Sequence, residues 1–320
     1  MYRIGIDLGG TNIAAGLVNE NFEIIAQGST PTLTDRPAEQ IADDMVALCK
    51  KLCNDQGIAI SEIASLGIAS PGIVDDDEGK IIYANNLRSL AGFPILPYLR
   101  EHLGIAEMHI ENDANAAAWG EAIAGAAKGS QSSVMITLGT GVGGGIVDNG
   151  KIYKGFNSAA GELGHIVIEA SGRPCSCGRQ GCWEAYSSAT GLINMTKEKL
   201  EACKAEGRAT AMTEIVAQKG KVNGRTAFDA MRLGDEAATE VVNEYIHYLA
   251  VGLTNIINIF QPEVLSIGGG ISNEGQALLD LVTPLVRQKQ YGTKLVPMTD
   301  IRIAQLRNNA GIIGAAVLGM

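Results

Sequence analysis

Near its start the chain reads IDLGGT over residues 6–11, and the apolar run Ile13 to Val18 follows directly. A second copy of this pattern, ITLGTG at residues 136–141, precedes the short apolar run at residues 145–147. In each copy an apolar strand leads through a turn of glycine and threonine into a second strand, as in a β-hairpin. The repetition predicts two related lobes with a cleft between them, although two ordinary hairpins give the same pattern.

The two copies differ at the position that precedes the turn, which is Asp7 in the first copy and Thr137 in the second. A carboxylate beside free backbone N–H groups and hydroxyls suits a phosphate group and its Mg²⁺. Residues 139–144, GTGVGG, also match the dinucleotide fingerprint G-x-G-x-x-G. That fingerprint opens a helix, whereas residues 145–151 are predicted to form a strand and a turn. The match therefore does not indicate a nicotinamide cofactor.

Strands and helices alternate along the chain. The pattern predicts strands at residues 3–8, 13–18, 22–30, 63–68 and 264–267, and helices at residues 37–55, 115–127, 239–260 and 275–288. This order indicates an α/β protein with mixed sheets. We expect a small lobe at residues 1–115 and a large lobe at residues 116–305 that carries the cysteine-rich loop. The C-terminal helix, within residues 306–320, is expected to fold back on the small lobe.

Composition and charge exclude several classes of function. The 320 residues are 46% hydrophobic and carry a formal net charge of −10. Phosphate backbones attract clustered Lys and Arg, so this acidic balance argues against a nucleic-acid partner. No apolar stretch approaches the roughly 20 residues of a membrane helix. The chain opens without the charged and apolar regions of a signal peptide, so we expect a cytoplasmic protein without a membrane partner.

Three cysteines lie close together at positions 175, 177 and 182, and His165 precedes the first of them by ten positions. Thiolates and an imidazole are the ligands of a closed, four-coordinate structural zinc site. The two glycines between Cys177 and Cys182 allow the backbone to turn tightly enough to bring the sulfurs together. Disulfides would require an oxidising compartment, which nothing in the chain indicates. We therefore predict that His165, Cys175, Cys177 and Cys182 bind zinc.

Asp113 lies where a predicted strand gives way to an alanine-rich helix. Sites in α/β folds gather at the carboxyl ends of strands, so Asp113 is the catalytic candidate. An isolated Asp in this position more often caps the helix by accepting backbone hydrogen bonds. The neighbours favour a site, because Asn112 has an amide suited to a sugar hydroxyl. Glu162, His165 and Glu184 supply a second set of polar groups.

Four motifs combine in this chain: DLGGT at residues 7–11, LGTG at 138–141, ELGH at 162–165 and CSCGRQGCWE at 175–184. Together they resemble the ROK family, which contains sugar kinases and sugar-responsive repressors. The resemblance extends from Ile4 to the glycine-rich end at Gly314. It implies the actin-like ATPase (ribonuclease H-like) fold with two lobes. The chain is most similar to the bacterial glucose kinases of the family, which implies an ATP-dependent hexose kinase acting on the 6-hydroxyl of glucose.

The resemblance also implies a role for each matching position. Asp113 is the general base that takes the proton from the sugar 6-hydroxyl as it attacks the γ-phosphate of Mg-ATP. The sugar-binding positions are Gly72, Asn86, Asn112, Asp113, Glu162, His165 and Glu184. The positions for nucleotide and Mg²⁺ are Asp7, Gly9, Gly10, Thr11, Asn12, Gly139, Thr140, Gly141, Gly268, Gly269 and Gly270. His165 has two tasks, ligating a structural Zn²⁺ through one ring nitrogen and facing the sugar through the other.

Two alternatives stay open. Kinases for N-acetylmannosamine, N-acetylglucosamine or fructose share the zinc loop, and Asn85 stands where many glucose kinases of the family have proline. A non-catalytic sugar sensor is the second alternative. Repressors of the family carry a helix-turn-helix segment before the first phosphate-turn strand, and because that strand begins here at residue 3, we expect none. The resemblance also implies a homodimer or homotetramer.

Overall fold

The structure is a computed structural model that describes residues 1–292 and 295–320. These residues form two compact units, each made of separate segments of the chain. The first unit contains residues 1–135, 145–161 and 304–320, and the second contains residues 136–144 and 162–303. This division differs from the predicted boundary at residue 115, because the chain leaves the first unit only after residue 135 and later returns to it.

Strands and helices alternate, and their order confirms the predicted α/β class. The strands in the described ranges are β1 (Tyr2–Leu8), β2 (Asn12–Val18), β3 (Ile24–Pro31), β4 (Ile63–Ser70), β5 (Ile73–Asp75), β6 (Lys80–Tyr83), β7 (Glu107–Asn112), β8 (Ser133–Leu138), β9 (Val142–Asp148), β10 (Lys151–Ile152), β11 (Val264–Gly268) and β12 (Asp300–Ile303). The helices there are α1 (Ala38–Asp55), α2 (Ile95–Leu103), α3 (Asp113–Ala124), α4 (Glu184–Ser187), α5 (Ala189–Glu206), α6 (Ala211–Lys219), α7 (Thr226–Arg232), α8 (Glu236–Phe260), α9 (Gln276–Lys289) and α10 (Ala310–Ala316).

A five-stranded sheet with the order β3-β2-β1-β4-β7 forms the centre of the first unit. Strands β1 and β2 pair as the predicted antiparallel hairpin, and β1, β4 and β7 run parallel. Side chains alternate across a sheet, and in β1 the residues Ile4, Ile6 and Leu8 are fully buried in the core under α1 and α2. The carboxyl ends of β1, β4 and β7 therefore lie at one edge of the sheet, where sites of α/β folds gather.

Helix α10 packs in the first unit, against β1, β4 and α3. The backbones approach closely, because a Cβ at Gly5 of β1 would lie 1.8 Å from the carbonyl oxygen of Ile312. A Cβ at Gly67 of β4 would lie 1.9 Å from the carbonyl oxygen of Ala315. Any larger residue at these two strand positions would force α10 off the sheet.

A second five-stranded sheet has the order β10-β9-β8-β11-β12. Within the second unit, β11 and β12 pair in parallel and α8 packs against α5, α7 and α9. Trp183 is fully buried and packs on Gly252 of α8, and its Nε1–H donates to the carbonyl of Tyr248 at 3.0 Å. Among residues 1–292 and 295–320, no helix combines the length and the apolar character needed to cross a membrane.

Candidate active site

The turn between β1 and β2 is closed by hydrogen bonds within the first unit. The N–H of Gly9 donates to the carbonyl of Asn12 at 2.9 Å, and the Thr32 hydroxyl donates to the carbonyl of Gly9 at 2.6 Å. A Cβ at Gly10 would lie 2.7 Å from Nδ2 of Asn86. The structure thus brings the predicted sugar residue Asn86 against the predicted phosphate turn of residues 9–12.

Asp7 lies one residue before the end of β1, beside this turn, and packs on α10, where a Cβ at Gly311 would lie 2.8 Å from its Oδ2. Burial, and to a smaller extent the nearby charge of Asp113, raises the pKa of Asp7 to about 6. Burial also raises the pKa of Asp113, although part of that carboxyl is open to solvent. Two partly desolvated carboxyl groups that repel each other are typical of an active site.

The raised pKa of Asp7 predicts a stability change with a definite sign. The folded protein binds a proton at Asp7 more tightly than the unfolded chain does. The contribution of Asp7 to the free energy of unfolding is therefore fully present below about pH 4 and is lost as the pH rises through about 6. We expect Asp7→Asn to stabilise the protein at pH 8 by about 2 kcal/mol, or a few degrees in Tm, and less at pH 5. Thermal melting without nucleotide or Mg²⁺ measures both differences. An equal change in Tm at pH 5 and pH 8 would contradict the raised pKa of Asp7.

Asn112, rather than Asp113, caps α3. Its Oδ1 accepts hydrogen bonds from the N–H groups of Ala114 at 2.9 Å and Asn115 at 3.2 Å. Its Nδ2 donates to the carbonyl of Gly72 at 3.0 Å, which fixes the turn after β4 beside the end of β7. The helix therefore begins at Asp113, two residues before the predicted start. The capping alternative for Asp113 loses its main support, because the neighbouring amide already performs that task.

In the second unit, the cysteine-rich segment forms a small hairpin. The N–H of Cys175 donates to the carbonyl of Arg179 at 2.8 Å, and the N–H of Gly178 donates to the carbonyl of Cys175 at 3.0 Å. Gly181 has a φ of 76°, and a Cβ there would lie 1.6 Å from the carbonyl oxygen of Glu169. Glycine is thus required at this position, and the hairpin it permits brings the cysteine side chains toward one another.

The four predicted zinc ligands come together in this hairpin, with their donor atoms all within 4.8 Å of one another. Sγ of Cys177 lies 3.6 Å from Sγ of Cys182, and Sγ of Cys175 lies 3.7 Å from Nδ1 of His165. Zinc–sulfur bonds of about 2.3 Å in a tetrahedron place neighbouring sulfurs about 3.8 Å apart, whereas a disulfide needs about 2 Å. The donor set therefore has the spacing and the chemistry of a zinc site.

Hydrogen bonding favours the thiolate that such a site needs. The N–H of Arg179, together with hydrogen bonds to the neighbouring sulfurs, lowers the pKa of Cys177 to about 6. Burial raises the pKa of Cys182. A thiolate crowded among other sulfurs is best stabilised by a cation, and metal binding displaces the remaining thiol protons.

His165 and Glu184 connect the hairpin to other predicted site residues. Nε2 of His165 lies 4.0 Å from Oε2 of Glu162, on the side of the ring away from the cysteines. Oε2 of Glu184 accepts the N–H of Val142 at 3.0 Å. The sequence motifs did not predict this last bond, which connects the cysteine-rich hairpin to the second predicted phosphate turn.

The second predicted phosphate turn, at Gly139, Thr140 and Gly141, is held by the first residues of α5. The carbonyl of Gly139 accepts the N–H of Ala189 at 2.8 Å, and the carbonyl of Thr140 accepts the Thr190 hydroxyl at 2.7 Å. The predicted adenosine loop of residues 268–270 follows β11 in the same unit, and Gly269 packs on the backbone of Leu138. The structure thus places these two predicted nucleotide elements side by side.

Comparison with known proteins agrees with these features. The model of the ROK family matches residues 3–320. A glucokinase of Streptomyces coelicolor is 34% identical over 98% of this chain and 96% of its own length. An N-acetylmannosamine kinase of Citrobacter koseri is 30% identical over 99% of this chain and 98% of its own. The crystal structure of a ROK family glucokinase from Streptomyces griseus, in complex with glucose and AMPPNP, superposes with a TM-score of 0.80, 33% identity and coverage of 99% of both chains.

The chain belongs to the ROK family. Its fold is accordingly the actin-like ATPase fold of the ROK sugar kinases, as the sequence motifs predicted.

Proposed function

We propose that the protein is an ATP-dependent glucokinase that phosphorylates the 6-hydroxyl of glucose. The observation that carries the proposal is the Asp113 carboxyl, which has a raised pKa and is relieved of capping α3 by Asn112. Full-length similarity to glucokinases, one of them solved with glucose and AMPPNP, supports the choice of sugar and donor.

In this proposal Asp113 accepts the proton of the sugar hydroxyl as that oxygen attacks the γ-phosphate. A general base typically contributes about 10²–10⁴-fold to the rate, and phosphoryl transfer otherwise depends on alignment and charge stabilisation. The N–H groups of the turns at residues 9–12 and 139–141 are assigned to the phosphates, and Asp7 to the Mg²⁺ of Mg-ATP. Gly268, Gly269 and Gly270 are assigned to the adenosine.

The proposed sugar contacts are Gly72, Asn86, Asn112, Asp113, Glu162, His165 and Glu184. The Asn112 amide already caps α3 and donates to the carbonyl of Gly72. It therefore contacts the sugar through the hydrogen-bonding capacity that remains on its Oδ1 and Nδ2 atoms. Clustered amides and carboxylates suit a ligand that presents many hydroxyls at once.

We further propose that His165, Cys175, Cys177 and Cys182 hold a structural zinc ion. Four protein donors close the coordination shell, so the ion orders the hairpin and activates no water. Zinc-binding thiols stay reduced in the cytoplasm, where ATP is also available, and we place the enzyme there. A homodimer or homotetramer, and the absence of a nucleic-acid partner, stay predictions.

Release of ADP from Mg-ATP, measured with purified protein and a panel of sugars, tests the function. The panel contains glucose, mannose, fructose, N-acetylglucosamine and N-acetylmannosamine. We expect the highest kcat/KM with glucose. A preference for N-acetylmannosamine, for which the Citrobacter koseri relative argues, would keep the mechanism and change the substrate. No turnover with any sugar by zinc-loaded protein would overturn the kinase assignment and favour a sugar sensor.

A further inference from the structure

A buried carboxylate lies directly behind the proposed general base. The side chain of Glu111, in β7, is only 2% exposed. Its Oε1 accepts the N–H of Asn112 at 2.9 Å and Nδ2 of Asn115 at 3.2 Å. These two residues are the cap and the first turn of α3, so Glu111 contacts the chain on both sides of Asp113.

Lys154 supplies the charge that Glu111 requires. Its Nζ lies 2.7 Å from Oε2 of Glu111, and the lysine side chain is 37% exposed. Lys154 follows β10, and its carbonyl accepts the N–H of Ala160 at 3.1 Å, which closes the loop of residues 154–160. The ion pair therefore connects this loop to the junction between β7 and α3.

A buried ion pair contributes little net stability to the junction between a strand and a helix. Removing a carboxylate from water costs several kcal/mol, which its partner offsets only in good geometry, and apolar residues often serve stability as well or better. Glu111 is placed where it fixes the direction of the backbone N–H of Asn112 and of the Asn115 side chain. A displacement of about 1 Å in a catalytic group can cost about 10²-fold in rate.

We propose that Glu111 and Lys154 act together as positioning residues for Asp113, holding the β7–α3 junction so that the Asp113 carboxyl meets the sugar hydroxyl in one orientation. The inference rests on the proposed kinase function and adds to it two residues that touch neither substrate. Glu111 acts through the backbone of Asn112, and Lys154 acts by keeping Glu111 paired.

Three variants test the pair. Glu111→Gln retains an oxygen for both hydrogen bonds but leaves Lys154 without its partner charge, and Lys154→Met leaves a buried carboxylate unpaired. We expect each to lower kcat by about 10–100-fold with a sugar KM within about 3-fold of wild type. Because the Glu111→Gln/Lys154→Met double variant removes both charges, it should recover most of the loss, a coupling that a double-mutant cycle measures.

Conservative and neighbouring substitutions complete the design. Lys154→Arg keeps the charge, and the cavity of about 310 Å³ that Glu111 and Lys154 line has room for the larger head group. We expect it to stay within about 3-fold of wild-type kcat. Lys151→Met removes an exposed lysine three positions earlier and should leave kcat unchanged.

Each result separates the inference from its alternatives. Wild-type protein that turns over no sugar would overturn the kinase proposal itself. An active wild type whose Lys154→Met variant keeps its kcat would overturn this inference alone. A fall in kcat that is accompanied by a weaker sugar affinity and a lower Tm would indicate a purely structural role for the pair. That result would also overturn this inference. Since Lys154 is partly exposed, its substitution keeps the test valid if Glu111→Gln fails to fold.

Discussion

Asp113→Asn should lower kcat for glucose phosphorylation by about 10²–10⁴-fold, because a carboxamide cannot take the proton of the attacking hydroxyl. The substitution preserves shape, and the asparagine Oδ1 can still accept the N–H of Ala114, a bond that spans 2.8 Å in the wild type. Asn112 continues to cap α3. The fold and the affinity for glucose should therefore change little.

Steady-state ADP release gives kcat for this variant, and calorimetry gives the dissociation constant for glucose. Asp148→Asn is the matched control, since it makes the same chemical change at an exposed carboxylate at the end of β9 and should leave kcat unchanged. Near-normal turnover by Asp113→Asn would remove Asp113 from the mechanism.

Cys177→Ala should abolish zinc binding and glucose binding together. The hairpin brings four donors within 4.8 Å, and removing one leaves an incomplete shell for a metal that structural sites hold with four. Without the ion, the crowded thiolates repel one another or take up protons, and His165 loses its orientation. We expect the zinc content to fall from about one ion per chain to about none. The glucose dissociation constant should rise by at least about 10-fold, since proposed contacts on the hairpin lose their support.

Elemental analysis of the dialysed protein measures the zinc, and calorimetry measures the sugar affinity. Cys203→Ala removes a buried thiol of α5 that lies outside the cluster and should keep both the zinc and the affinity. A zinc-free Cys177→Ala protein with wild-type glucose affinity would show that the metal is dispensable for the sugar site.

Short sequence patterns correctly predicted the elements that depend only on residues close together in the chain. The β1–β2 hairpin follows from one apolar alternation and one glycine-rich turn. The cluster of three cysteines and His165 follows from cysteines within eight positions and a histidine shortly before them. These residues cannot separate far once Gly178 and Gly181 turn the chain. The ROK resemblance gave the fold class. The roles assigned to individual site residues stay predictions.

Long-range contacts could not be predicted in the same way. The bond from Glu184 to Val142 spans 42 positions, and the ion pair of Glu111 and Lys154 joins β7 to a loop beyond β10. Glu184 belongs to the CSCGRQGCWE motif, but the motif does not indicate which distant residue it contacts. Such contacts depend on how segments far apart in the sequence are arranged in space. The capping of α3 was ambiguous for a related reason, since Asn112 and Asp113 are both good caps and only the backbone angles decide between them.

The close packing of α10 has a consequence for biosynthesis. The ribosome makes this helix only after it has made all of the second unit, yet β1 and β4 have glycines whose exposed backbone α10 must cover. The part of the sheet that α10 covers therefore stays exposed while about 170 further residues are made. This state exposes apolar surface to chaperones and to other nascent chains. Nascent chains stalled before residue 304 should accordingly be far more sensitive to proteases in their first 135 residues than released chains are.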